Sequence, residues 1–243
     1  MQSTSAAAVA FAIGPAVAGL ILLIVLWPNE KQGVRLLAKW GVPNPAADQV
    51  PVAVRYLRRR RFLYPWLFVG IPLIPRADDV LGGRGFGSIV FVALFGGLIA
   101  ELLAQRSPRQ SRKEALLAPR GVLDFAPLWT LILNILAIGA AVASFAVQGQ
   151  WPAAAVVLGA AAVSWLVVFL SVRRPAAGDP DVDLALRTRS ARVALGLSVG
   201  TTGTLGLEVG APPAFFAVLA TTCAFIAIVG PPAKPRTTTT AAH

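Results

Sequence analysis

The chain has 243 residues, 56% of them hydrophobic and only 14% charged, with a net charge of +11. A water-soluble domain carries about 25% charged residues, so the composition excludes an ordinary soluble surface and implies a polytopic membrane protein. Cys223 is the lone cysteine and the terminal His243 the single histidine, which excludes an intrachain disulfide and leaves a cysteine or histidine metal site, or a histidine base, almost nothing to build on.

The first apolar run, Ala6 to Trp27, is too long for a signal-peptide core and has no basic residue before it. It reads as a retained span, closed by Trp27 at the interface and by Pro28 beyond. Residues 28–61 are polar and strongly basic. Within them Val34–Trp40 reads as a short helix lying on the membrane. A second helix is expected with Asn44 as N-cap and Pro45 at its first position, although Pro51 interrupts the pattern.

Arg58, Arg59, Arg60 and Arg61 then meet the proline-bearing apolar run Phe62–Pro75. As a straight helix that run would rise about 21 Å, short of the ~30 Å hydrocarbon core. Charge distribution nevertheless favours a crossing. If 62–75 crosses, the basic residues of 28–61, 105–124, 173–192 and the tail share one side, leaving only Arg76 and Arg84 opposite. If it does not cross, they divide almost evenly, against the positive-inside rule. Mismatch costs fractions of a kcal/mol per Å, which proline-distorted backbone, bilayer thinning and snorkelling absorb.

The remaining spans are read as 86–104, 125–147, 152–172, 193–209 and 213–230. The expected fold is therefore an all-α bundle of seven spans in one membrane domain of residues 1–230. Its N-terminus is outside, its cytoplasmic loops are basic, and residues 231–243 form a disordered cytoplasmic tail. The location implied is the cell (inner) membrane.

Few polar groups fall within these spans. Glu101 is a carboxylate about one turn from the cytoplasmic edge, able to snorkel or to pair with a base such as Arg106. Asn134 lies near mid-span, where interhelical hydrogen bonding is the default. Gly196, Gly200 and Gly203 make a small-residue stripe for close helix approach. Thr201, Thr204 and Glu208 form an adjoining polar stripe, read as threonines bonded back to carbonyls or as a polar path.

Asp179, Asp181 and Asp183 alternate as at the opening of a calcium loop, but Leu184 stands where glycine is required and Ser190 where glutamate is. A helix start explains them better, with Asp179 as N-cap and Pro180 first. Val182 and Leu186 then share a face fit for lipid or a partner. Gly82–Gly87 resembles a phosphate loop but lacks its spacing, and the adjacent Asp78 and Asp79 make a weak cation site.

Walker A and HExxH motifs are absent, no GxSxG stands at the strand-to-helix turn of a nucleophile elbow, and no span holds a lysine. No cofactor, metal or nucleic-acid partner is expected. The sequence supports a non-enzymatic membrane component that docks a partner protein or anionic lipid through its basic loops. Arg58–Arg61 are the candidate contacts. The alternative is a small permease using Glu101, Asn134, Thr201, Thr204 and Glu208.

Overall fold

The computed structural model describes residues 27–63, 86–105, 121–174, 179–206 and 212–230, with a few positions outside these ranges. Among the described residues the chain is all-α. Its helices are α1 (Glu30–Lys39), α2 (Val50–Phe62), α3 (Phe86–Ala104), α4 (Leu128–Val147), α5 (Trp151–Arg173), α6 (Pro180–Gly206) and α7 (Pro212–Val229). A two-residue antiparallel pair, Lys113–Glu114 with Ala176–Ala177, ties the α3–α4 connection to the α5–α6 connection.

Two of these helices are long and apolar enough to cross a membrane, α4 with 20 residues and α5 with 23, rising about 30 and 34 Å. The apolar segments Val90–Ala104 and Ala220–Val229 are shorter, so a seven-span bundle is not established by helix length. Ala6–Trp27 and 62–75 fall largely outside the described residues, as do Arg76, Asp78, Asp79, Arg84, Arg106, Glu208 and the tail.

The largest departure from expectation concerns α6. A boundary between a cytoplasmic loop and a span was expected at Arg192. Instead one helix of 27 residues runs through it, about 40 Å long. Its start is as the sequence implies: Asp179 Oδ1 accepts from the amides of Asp181 (3.0 Å) and Val182 (3.1 Å), and Pro180 opens the helix. Continuity follows because Arg187, Arg189 and Arg192 find partners within the protein. α6 packs against α3, α4, α5 and α7, and residues 190–205 are all buried.

Glycines set the closest of these contacts. A Cβ at Gly203 would stand 2.1 Å from Thr221 Oγ1, and one at Gly196 would stand 2.5 Å from Val229 Cγ2. The glycine stripe is thus the α6–α7 packing seam. Around it, Leu131, Val168, Leu195, Val199 and Ile228 form one buried cluster, and Leu98, Val167, Val193 and Leu197 another.

The basic segment before the bundle forms a helical hairpin. Asn29, rather than Asn44, provides the side-chain cap: its Oδ1 accepts from Gln32 N at 3.0 Å and starts α1. The second helix begins at Val50, and Pro51 sits in its first turn, where a missing N–H costs nothing. Gly33 allows the two helices to meet, since a Cβ there would lie 2.8 Å from Val54 Cγ2. Leu36, Leu37, Trp40, Ala53 and Leu57 bury against Val182, Ala185 and Leu186 of α6. The apolar face expected for lipid or a partner is therefore covered by this chain's own hairpin.

Candidate functional site

Three groups of ionic side chains meet at one end of the bundle. The first joins the hairpin to the bundle. Glu101, one turn before the end of α3, is fully buried. Its Oε1 accepts from the hydroxyls of Tyr56 and Ser190, and its Oε2 lies 3.0 Å from Arg60 Nε and 3.9 Å from Arg189 Nη1. Arg189 also donates to Tyr56 Oη and stacks over its ring at 5.1 Å. Burial raises the Tyr56 pKa above its ordinary value; Arg189 opposes the shift and Glu101 adds to it. The phenol is therefore held protonated, as a donor must be.

The second group closes α5. Arg187 is buried; its Nη1 donates to the carbonyls of Ser171 (3.2 Å) and Arg174 (2.6 Å), and its Nη2 pairs with Asp183 at 2.7 Å. Arg174 reaches the other oxygen of Asp183 at 3.0 Å. The third closes α7. Arg192 donates to the carbonyls of Ile228 (2.9 Å) and Ala227 (3.2 Å) and lies over the Trp40 ring at 5.7 Å. Burial lowers its pKa from the ordinary value, and the carbonyls at the negative helix end offset that penalty.

These contacts redistribute the candidate residues. Arg60 and Glu101, proposed for different roles, are partners. Arg61 donates to Gln32 Oε1 at 2.6 Å, Arg58 lies 5.8 Å from the Trp27 ring centroid, and Arg59 is exposed. Asn134 Nδ2 donates to Leu195 O at 3.2 Å, which ties α4 to α6. Thr201 and Thr204 donate back to Leu197 O and Thr201 O, as does Thr202 to Ser198 O. Arg187, Arg189 and Arg192, counted from sequence as loop charges, turn inward.

Tyr56, Arg189 and Ser190 escaped the sequence reading as partners of Glu101. They lie 45 and more residues away from it, so no local period betrays them. One signal was available: a carboxylate near a membrane edge must pair with a base. It does not say which. No protein-family model, curated protein or solved structure matches this chain.

Proposed function

We propose that this is a seven-span protein of the cell membrane, a non-enzymatic component whose basic cytoplasmic end docks a partner protein or anionic lipid. The observation that carries the reading is the convergence of charge. The C-terminal ends of α3, α5 and α7, the N-terminal half of α6 and the hairpin all meet where Arg60, Arg174, Arg187, Arg189 and Arg192 lie. Such an end matches a cytoplasmic boundary under the positive-inside rule.

Connectivity supports a crossing at 62–75. The Arg60–Glu101 pair puts the end of α2 beside the end of α3. Phe86, fifteen residues before Glu101, lies about 22 Å farther along α3. The chain thus leaves α2 at the basic end and enters α3 at the other. Lipid exposure is supported by α4, most of whose apolar length is not buried within the protein and where Leu128, Ile132, Ile135 and Leu136 are exposed. A cysteine at Asp79 in a Cys223→Ser background tests the topology. An impermeant thiol reagent should label it from outside; protection there, with labelling only after lysis, would sink the seven-span reading.

A small permease is the second reading. One observation favours it: Asn134 Oδ1 and Ser198 Oγ, both buried in the bundle, have no hydrogen-bond partner among the described residues. It predicts that Thr201→Val or Glu208→Gln alters solute flux at unchanged expression.

A further inference from the structure

We infer that α1 is an anionic-phospholipid headgroup site on the cytoplasmic leaflet, formed by the stripe Lys31, Arg35 and Lys39, with Arg58 over Trp27 just ahead of the helix. The inference rests on the membrane reading above and commits its basic end to one ligand.

The hairpin's charges divide by direction. Arg60 and Arg61 turn inward, to Glu101 and Gln32. Lys31, Arg35 and Lys39 recur every four residues and are all exposed, as are Arg55 and Arg58. Spacing of four puts the three α1 cations on one face. That face is opposed to the one carrying Gly33, Leu36 and Leu37, which is buried against α2 and α6. The α1 stripe therefore points away from the bundle axis, over the surrounding leaflet. The acids of the hairpin are Glu30, beside Lys31, and Asp48, in the turn.

Depth is set by the tryptophans at the two ends of α1. Trp40 lies over Arg192, whose guanidinium holds the last carbonyls of α7; that is the level at which the apolar helices end. Trp27, at the other end, lies under Arg58 and is exposed, as are Phe62 and Trp66. Exposed tryptophans beside arginines are the composition of the membrane–water interface. With both ends at that level, α1 lies along the surface rather than standing up from it. Its stripe stays within a Debye length, about 8 Å at physiological salt, of the headgroup phosphates. A partner protein would need no such placement; a phosphodiester does.

The test uses the full chain in mild detergent, titrated with phosphatidylglycerol or phosphatidylcholine and read by native mass spectrometry as bound lipid. Phosphatidylglycerol should be preferred. The exposed triple variant K31Q/R35Q/K39Q should lose roughly fivefold per cation, on the order of a hundredfold in all, while phosphatidylcholine binding stays unchanged. Photoactivatable phosphatidylglycerol in nanodiscs gives a readout on the unmutated chain and should label α1 around Val34 and Ala38. An unchanged preference in the variant, or label that avoids α1, overturns the site. So does equal displacement by inorganic phosphate, which would assign the cations to free phosphate. None of these failures touches the crossing at 62–75, which stands on the Asp79 labelling.

Discussion

Removing the Glu101 carboxylate tests whether the polar group, beyond the apolar contact, holds the hairpin on the bundle. In Glu101→Ala the hydroxyls of Tyr56 and Ser190 and the guanidinium of Arg60 lose their shared acceptor. Breaking a buried ion pair from one side costs about 3–5 kcal/mol. The side chains of Arg60 and Arg189 retain 15% and 11% exposure, so water relieves part of that cost and about 3 kcal/mol is expected. Glu101→Gln keeps an acceptor for the hydroxyls and should lose about half as much. The contact of Leu36, Leu37, Ala53 and Leu57 with α6 survives either change, so the loss falls on docking. Hydrogen exchange of the α2 amides in nanodiscs measures it: 3 kcal/mol corresponds to about a hundredfold faster exchange. Protection at Ala53–Leu57 within twofold of wild type in Glu101→Ala would refute the anchor. Restored protection in the apolar pair R60M/E101L would show that the penalty is an orphaned charge and not a missing contact.

Further outcomes are expected. Of the two tyrosines in the chain, Tyr56 should stay protonated past pH 11, where an ordinary phenol near 10 has ionised. A raised native pKa means that its contribution is present below pH 10 and is lost as pH climbs through the raised value. Absorbance at 295 nm should therefore be the same for wild type and Tyr56→Phe up to pH 11, and a smaller signal in the variant would contradict the assignment. Arg187→Ala should cost about 3–5 kcal/mol by leaving Asp183 and two carbonyls of the α5 end short of a donor. D183L/R187M should recover much of that in thermal unfolding. Gly203→Ala should lower the unfolding temperature more than Gly196→Ala, because Thr221 Cβ stands 2.8 Å from the new methyl while at Gly196 the near atom is the tip of Val229. Gly159→Ala, where nothing lies within 4 Å, should be neutral or slightly stabilising.

What could be read from sequence was whatever has a short period or a local cap. The apolar runs gave α3, α4, α5 and α7 nearly to their ends, since each is bounded by proline, glycine or a polar turn that acts on adjacent backbone. The cap at Asp179 and the glycine seam of α6 are local in the same sense. Asn44 misled because Asn-Pro is a good helix start in isolation, yet the start is decided by which residues the hairpin buries, and those begin at Val50. The continuity of α6 was hidden for a related reason. Five charged residues between Asp181 and Arg192 resemble a solvated loop unless their partners are known. Apart from the i, i+4 pair of Asp183 and Arg187, the partners of the three arginines lie on α2, α3, α5 and α7, at separations no pattern along the chain reports.

The inward turn of those arginines bears on the charge count behind the proposed orientation. In the seven-span reading every odd crossing runs outside to inside, so α3, α5 and α7 present C-terminal ends to the cytoplasm, each the negative pole of a helix dipole with unsatisfied carbonyls. Arg187 and Arg192 answer two of these directly, and Arg60 and Arg189 gather at the third through Glu101. The even crossings α4 and α6 begin at the same end. Acids stand there: Asp124 holds the Gly121 amide at 2.8 Å, and Asp179 caps α6 with Asp181 and Asp183 in its first turn. Charge at this end is thus sorted by helix polarity as well as by side of the membrane. An arginine placed to close a helix counts toward orientation whether or not it ever meets the cytoplasm. On that view, moving Arg192 one residue along, R192V/V193R, should destabilise the bundle by uncapping α7 while leaving the outside labelling at Asp79 unchanged. Inverted labelling would mean that the capping contact itself, and not the count of basic residues at this end, orients the chain.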